Sequence, residues 1–207
     1  MIQVKEQSGL PGLAVFILAW FAAAACAGGE GKEMQKALEG RKALVIVAAV
    51  NFQDEEFGQP CGLLTNLGAT VKIACSRPGT AKGAFGRQVK PDLLIGECKA
   101  SDYDAVLFIG GAGAAEYFNS KEAHRIAREA AEGGKVLGAI CIAPVILANA
   151  GVLKGKKATA FPSETGRLSA QGAVLTRQDV VVDGKIVTAS GPQAAKEFAE
   201  TAARLMQ

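Results

Sequence analysis

One cysteine of this chain stands where a strand is predicted to turn sharply into a helix. The apolar run from Val136 to Ile140 predicts a buried strand that ends at Cys141, and an apolar helix is predicted to begin about two residues later. A side chain on such a turn projects from the carboxyl end of a sheet, beside the positive end of the next helix. Because that position favours thiolate over thiol, Cys141 is a candidate nucleophile with a lowered pKa. A lone cysteine with apolar neighbours is more commonly a core residue, and the turn is what favours the catalytic interpretation.

Three acidic residues follow the first predicted strand, and one of them is a candidate partner for this thiol. Asp54, Glu55 and Glu56 open a predicted helix, where acidic side chains complement the helix dipole. A carboxyl group held against the sulfur would be kept protonated by burial and by the neighbouring negative charge. It could then donate a hydrogen bond to the thiolate and later move a proton. The spacing alone leaves open which of the three does so.

A glycine-rich turn, residues 110–113, follows another predicted buried strand. Such turns let backbone N–H groups approach a ligand closely, so the N–H groups of Gly111 and Ile142 are candidates for an oxyanion site. A dinucleotide-binding loop is not predicted, because Glu116 stands where the third small residue of that motif belongs.

The histidine and the other cysteines do not predict a metal or a catalytic dyad. His124 is the only histidine, and it falls on a predicted helix as a surface or boundary residue, so a Cys–His pair would need it to cross the domain. No CxxC pair exists, and no zinc ligand set can be assembled. Cys61, Cys75 and Cys98 could supply one disulfide in an exported protein, but buried free thiols are expected in a domain of this size.

Strands and helices alternate along the chain and would carry these residues to one edge of a sheet. Buried strands are predicted at 43–50, 70–74, 105–109, 135–140 and 157–161, helices at 54–67, 120–132 and 193–206, a hairpin at 180–189, and a loop with a short hairpin at 76–100. The pattern predicts an α/β fold with a doubly wound parallel sheet. Ligands of such folds bind outside the carboxyl ends of the strands, where the loops after Val50 and Ile109 meet the turn at Cys141.

Composition bounds the class of protein. The 207 residues are 49% apolar and 21% charged, with a formal net charge of +3. A sizeable core is therefore expected, and the weak positive charge does not favour nucleic acid or a membrane surface as a partner.

The first 27 residues differ in kind from the rest. Leu13 to Ala25 is apolar but too short for a confident membrane span, which is typical of a secretory signal peptide. Two forms of processing stay open: cleavage after Ala27, or a lipoprotein signal in which Cys26 is lipidated and tethers the protein to a membrane. Export is predicted. The alternative is a cytoplasmic domain, preceded either by an uncleaved anchor or by residues that a wrongly assigned start codon has added. Residues 28–42 are expected to be a polar linker, and the folded domain to span 43–207.

Four short motifs occur in order on the predicted elements. They are Phe52-x-Asp54-x-Glu56 with Pro60, Gly110-Gly111, Ala139-Ile140-Cys141 with Pro144, and Gly191-Pro192 followed by Glu197-Phe198-Ala199. In this arrangement residues 43–207 resemble the ThiJ/PfpI superfamily. The resemblance implies a flavodoxin-like α/β/α sandwich with a nucleophile elbow, a homodimer, and no cofactor or metal.

The same resemblance implies roles for single residues. Cys141 and Glu56 become the catalytic pair, and the substrate pocket is expected to include Gly110, Phe161, Pro162 and Pro192. Two positions depart from related branches: Ile142 stands where protease-like members have histidine, and Phe161 replaces the histidine of a His-Pro pair. Amide hydrolysis by a Cys–His pair or an amidotransferase-type triad is therefore not expected.

Three functions follow from this sequence, in order of preference. The first is a cofactor-independent glyoxalase or deglycase that acts on a small carbonyl substrate, a methylglyoxal-type dicarbonyl or its early adducts. The second is a redox-sensing stress protein or chaperone in which Cys141 is oxidised. The third is a non-catalytic binding domain that retains the fold.

Overall fold

The computed structural model describes residues 37–207, which form twelve strands and five α-helices. The strands are β1 (Lys42–Ile46), β2 (Val50–Phe52), β3 (Thr70–Cys75), β4 (Ala81–Gly83), β5 (Gln88–Val89), β6 (Leu93–Leu94), β7 (Ala105–Phe108), β8 (Val136–Ile140), β9 (Lys157–Ala158), β10 (Val174–Leu175), β11 (Val180–Asp183) and β12 (Ile186–Ala189). The α-helices are α1 (Asp54–Asn66), α2 (Lys121–Glu132), α3 (Pro144–Asn149), α4 (Thr165–Ala170) and α5 (Ala195–Met206).

The main sheet has seven strands in the order β11-β12-β8-β7-β1-β3-β6. Every neighbouring pair is parallel except β11 with β12, which form an antiparallel hairpin at one edge. The register pairs Ile46 with Phe108, Phe108 with Ala139, and Ile140 with Ala189. The carboxyl ends of four central strands therefore lie side by side, and the loops that leave them meet at one edge.

The central strands are buried because helices cover both faces of the sheet. Helices α1 and α5 pack against each other, and α2 packs against α3, while α2, α3 and α5 all contact β8. All five residues of β8 are buried, as the continuous apolar run predicts for a parallel strand covered on both sides. Gly138 lets α5 approach, since a β-carbon there would lie 2.5 Å from Leu107 Cδ2 and 2.8 Å from Phe198 Cζ. This packing holds the end of β8, and hence Cys141, in a rigid setting.

Two predicted strands are shorter than expected, because their backbone groups bond elsewhere. The 43–50 strand ends at Ile46, and Ala49 then donates its N–H to Glu116 Oε1 (3.1 Å), after which β2 joins a separate sheet with β4 and β5. The 157–161 strand keeps only two residues. Beyond them Thr159 donates to Thr188 Oγ1 (3.0 Å), and Phe161 donates to the Cys141 carbonyl (2.8 Å).

The ordered core begins before the expected boundary at Ala43. Leu38 is fully buried, and its N–H donates to the Leu67 carbonyl at 2.8 Å. The proposed leader and most of the proposed linker lie outside the described residues. Within residues 37–207, no helix combines the length and apolar character needed to cross a membrane.

Candidate active site

The turn at Cys141 has the strained geometry expected of a nucleophile elbow. Cys141 adopts φ 64°, a left-handed conformation that costs a non-glycine residue on the order of 1–3 kcal/mol. Hydrogen bonds hold it there from both sides: its N–H donates to the Ala189 carbonyl (2.9 Å), and its carbonyl accepts from the N–H of Phe161 (2.8 Å). The side chain is buried at 7% exposure.

Of the three acidic residues that open α1, the structure brings Glu56 to the cysteine. Gln53 caps the helix by accepting the Glu56 N–H on its side chain (2.8 Å), and the Glu56 side chain points into the protein with no exposed surface. Asp54 instead accepts the N–H groups of Phe85 and Arg87 and so holds the β4–β5 hairpin. Glu55 is exposed and accepts from the Gln59 side chain (2.7 Å).

The Glu56 carboxyl group and the Cys141 side chain both pack against Gly110. Its N–H donates to Glu56 Oε2 at 3.1 Å. A β-carbon at this position would lie 2.5 Å from Glu56 Oε2 and 2.6 Å from Cys141 Cβ. Both side chains therefore pack directly on the glycine, and only the missing side chain allows them to do so.

Burial raises the pKa of Glu56 from 4.5 to about 7, although hydrogen bonds with Cys141 and with the Gly110 N–H lower it. The other carboxyl oxygen, Oε1, is buried with no partner that meets full hydrogen-bond geometry. A carboxyl group in this state is readily protonated near neutral pH. It can therefore donate as well as accept a proton.

The expectation of a lowered thiol pKa is wrong for a site in which Glu56 is ionised. Burial and the Glu56 carboxylate then raise the pKa of Cys141 to about 12, against hydrogen bonds from the Gly111 and Ile142 N–H groups, which lower it. Helix α3 has only six residues, so its dipole is a weaker influence than the sequence suggested. When Glu56 carries the proton, the same contact donates a hydrogen bond to the sulfur and stabilises the thiolate. The two groups therefore titrate as a pair that shares a proton.

Both backbone N–H groups expected at an oxyanion site, those of Gly111 and Ile142, hydrogen-bond the Cys141 sulfur and lower its pKa. Gly111 has φ 90°, and a β-carbon there would lie 2.5 Å from the Asn51 carbonyl oxygen, so the loop requires glycine. Asn51 itself has φ 57° and was not predicted from the sequence. Its backbone packs closely against Gly111 and so helps to position the Gly111 N–H toward the Cys141 sulfur.

The expected pocket residues lie on segments bonded to the elbow, with one exception. Phe161 is hydrogen-bonded to Cys141 through the backbone and is 41% exposed, and Gly191 lies against its ring, which brings the half-buried Pro192 to the same side. Pro162 begins an exposed 3-10 turn, and only its position next to Phe161 connects it to the site.

The remaining candidates do not join the site. His124 Nε2 lies 2.9 Å from the Phe118 carbonyl oxygen, at the end of α3 away from Cys141. The four cysteines in the described part of the chain are free thiols. Within that part, no three His, Cys, Asp or Glu side chains are grouped so as to hold a metal ion.

The family model, the related sequences and the solved structures that match this chain all point to one protein family. The DJ-1/PfpI family model matches residues 41–205. The chain belongs to the DJ-1/PfpI family. It is 33% identical to deglycase PfpI of Pyrococcus furiosus over 149 residues, which cover 72% of this chain and 90% of that protein.

Solved structures of DJ-1/PfpI proteins have the same fold. The ThiJ/PfpI domain protein from Brachyspira murdochii is 30% identical and superposes with a TM-score of 0.79, covering 81% of this chain and 97% of that one. Drosophila melanogaster DJ-1beta is 32% identical with a TM-score of 0.73, covering 80% and 90% respectively. The family resemblance and the flavodoxin-like fold predicted from the sequence are confirmed.

Proposed function

We propose that this DJ-1/PfpI protein is a cofactor-independent glyoxalase or deglycase acting on methylglyoxal-type dicarbonyls or their early adducts. The observation that carries the proposal is the pairing of Cys141 with the buried Glu56 across Gly110. The names of relatives such as the Pyrococcus deglycases support the same reaction class.

The proposed reaction begins when the Cys141 thiolate adds to the aldehyde carbon. The new C–S bond gives a hemithioacetal, and the negative charge on its oxygen is stabilised by the Gly111 and Ile142 N–H groups until the oxygen takes up a proton. Glu56, as the carboxylate, removes the hydrogen of the former aldehyde carbon and returns a proton to the former ketone carbon. The result is a thioester of a 2-hydroxy acid. Water hydrolyses it, releases the acid and restores the thiol, so methylglyoxal and water yield lactate with no external oxidant.

The test is to measure loss of methylglyoxal and formation of lactate by the wild type, Cys141→Ser and Glu56→Gln. We expect Cys141→Ser to lower kcat by about 10³-fold or more, because the nucleophile is lost. We expect Glu56→Gln to lower it by about 10²-fold or more, because an amide cannot move the proton. Cys61→Ser, a thiol substitution on α1 outside the site, serves as the matched control. Undiminished turnover by Cys141→Ser would refute the proposal.

The surroundings of Cys141 also favour a second candidate, a sensor that is oxidised at this thiol. Among the described cysteines, Cys98 donates its thiol to the Leu94 carbonyl, whereas Cys141 accepts hydrogen bonds from two backbone N–H groups that would also stabilise a sulfinate. Mass spectrometry after mild peroxide treatment should then find two added oxygens on Cys141 alone. Equal oxidation of all cysteines would exclude this function.

A further inference from the structure

A buried tyrosine hydroxyl binds the backbone at the point where β1 ends. Tyr117 is 2% exposed, and its Oη donates to the Val47 carbonyl at 2.8 Å. Val47 follows the last residue of β1, and its own N–H still bonds across the main sheet to the Ala74 carbonyl (3.0 Å). The hydroxyl therefore supplies the donor that a neighbouring strand would otherwise provide, and the chain leaves the main sheet here. The reaction proposed above makes no use of this side chain.

A short helix joins Tyr117 directly to the loop that carries an oxyanion donor. Tyr117 is the last residue of a 3-10 helix, Ala112–Tyr117, and Gly111 is the N-cap of that helix. In its first turn, the Ala114 N–H donates to the Gly111 carbonyl at 3.0 Å. A displacement of Tyr117 would therefore reach Gly111, whose N–H hydrogen-bonds the Cys141 sulfur.

Two further hydrogen bonds connect the loop after β1 to the loop after β7. Glu116 Oε1 accepts the Ala49 N–H at 3.1 Å, and the Gln53 N–H donates to the Gly110 carbonyl at 3.0 Å. The loop after β1 ends at the Gln53 cap that orients Glu56. This junction between the two loops therefore sets where the oxyanion donor lies relative to the carboxyl group and the thiol.

We propose that Tyr117 is a positioning residue that, through Val47, holds the Gly111 N–H on the Cys141 sulfur. The pKa of Tyr117 is raised by burial, so the hydroxyl remains a donor at neutral pH. A hydroxyl that served only the stability of the fold would leave the reactivity of the Cys141 thiol unchanged in the folded protein. Stabilisation of the thiolate is independent of the reaction, whereas the same role toward an oxyanion rests on the proposed function.

The first test compares the rate of Cys141 alkylation by iodoacetamide in the wild type and in Tyr117→Phe. This variant keeps the buried ring and removes only the hydrogen bond to Val47. We expect the thiolate population at pH 8 to fall by up to about tenfold, the value of one hydrogen bond. The alkylation rate should fall only about threefold, because a less stabilised thiolate is intrinsically more nucleophilic.

Tyr103, the other tyrosine of the chain, provides the matched control. It is also buried (7% exposed), but it precedes β7 at the amino edge of the sheet, opposite the edge that carries Cys141. Tyr103→Phe should leave the alkylation rate unchanged. Amide hydrogen exchange followed by NMR should show faster exchange of the Gly111 N–H in Tyr117→Phe alone. Either measurement at its wild-type value in Tyr117→Phe would overturn the assignment.

Glu116 offers a second test at an exposed position, where substitution does not threaten the fold. Glu116→Ala removes the acceptor of the Ala49 N–H and should also slow the alkylation of Cys141. Glu116→Gln keeps an acceptor oxygen and should restore the wild-type rate. Equal rates in Glu116→Ala and the wild type would show that the junction does not position the oxyanion loop, and would contradict the proposal.

Steady-state kinetics separate this inference from the proposed reaction. With methylglyoxal, Tyr117→Phe should lower kcat about tenfold and leave KM unchanged, because the Gly111 N–H stabilises charge that develops in the transition state. A raised KM with an unchanged kcat would refute the role toward the oxyanion. Absence of turnover by the wild type, with the difference in alkylation rate intact, would refute only the proposed reaction.

Discussion

The behaviour of the site rests on a single proton shared by Glu56 and Cys141. With Glu56 ionised the thiol pKa is about 12, and with the thiol intact the carboxyl pKa is about 7, so the pair loses its first proton near pH 7. The monoanion divides between carboxylate with thiol and carboxyl with thiolate. Only the second form is nucleophilic, and the Gly111 and Ile142 N–H groups favour it.

We therefore expect the rate of Cys141 alkylation by iodoacetamide to rise through an inflection near pH 7, below the pKa of about 8.5 of a free cysteine. In Glu56→Gln the shared proton is lost, and a single thiol titration should replace that inflection. Mass spectrometry on the peptide that contains Cys141 gives the rate at each pH. A wild-type profile that matches Glu56→Gln would mean that the two groups do not interact, and would favour a non-catalytic binding domain.

Burial of Glu56 also predicts how stability changes with pH. A carboxyl group whose pKa rises from 4.5 in the unfolded chain to about 7 in the folded one favours the fold when protonated. Its stabilising contribution is complete below pH 4.5 and is lost as the pH rises through 7. The difference amounts to about 3 kcal/mol at 1.36 kcal/mol per pKa unit. Urea unfolding between pH 4 and 8 should show this loss in the wild type relative to Glu56→Gln. Parallel curves for the two proteins would contradict it.

At the scale of elements, the positions that matter most are turns in which the backbone approaches a side chain. Gly110→Ala would bring a β-carbon 2.6 Å from the Ile140 carbonyl oxygen as well as against Glu56 and Cys141, and the backbone oxygen cannot move aside cheaply. We expect a loss of stability of about 1–3 kcal/mol together with loss of the alkylation inflection near pH 7.

Gly62→Ala is the matched control for this change. Gly62 lies within α1, and an alanine β-carbon there would have no neighbour within 4 Å, so the substitution should be neutral or stabilise by up to about 1 kcal/mol. Thermal unfolding of both variants, with the alkylation profile, tests the pair. A Gly110→Ala protein with wild-type stability and an intact inflection would show that the close packing at residue 110 is not needed.

The sequence predicted the elements that carry the site because their signals are local. Apolar runs marked β7 and β8, Ser120 marked the start of α2, and Asp183-Gly184 marked the β11–β12 hairpin. Glu56 was chosen over Asp54 and Glu55 as the partner of Cys141 because residues 52–60 match the family motif in that alignment, and not because of the spacing of the acidic residues. The direction in which a helix turns its first residues depends on tertiary packing, and so does the Gln53 cap that orients Glu56.

What the sequence did not predict depends on contacts between distant segments. The early end of β1 follows from the hydrogen bond that Ala49 makes with Glu116, 67 positions away. Ser190 donates its hydroxyl to Asp179 and accepts from the Gln193 side chain, and no short motif predicts these hydrogen bonds, because they form only when the end of β12 folds against the preceding loop. The raised thiol pKa depends on full burial next to a carboxylate, which local pattern does not reveal.

At the scale of the whole molecule, the small sheet formed by β2, β4 and β5 carries two exposed apolar side chains. Phe85, at the tip of the β4–β5 hairpin, is 80% exposed, and Val50 on β2 is 41% exposed. Asp54 accepts the Phe85 N–H at 3.0 Å, so this aromatic side chain is presented on a fixed turn. Large aromatic side chains are enriched at the energetic centres of protein interfaces, and we propose that Phe85 lies in the homodimer interface that the family resemblance implies.

Phe85→Asp should then shift the protein from dimer to monomer in sedimentation velocity, because a carboxylate buried at the interface would lack a partner. Val182→Asp is the control, since Val182 has a similar exposure to Val50 (42%) but lies on the edge strand β11 of the main sheet. The hairpin is held by Asp54 from the first turn of α1, the same turn that positions Glu56. Loss of the dimer should therefore also alter the alkylation inflection near pH 7. A monomeric wild type would refute the homodimer, and a dimer that survives Phe85→Asp would place its interface elsewhere.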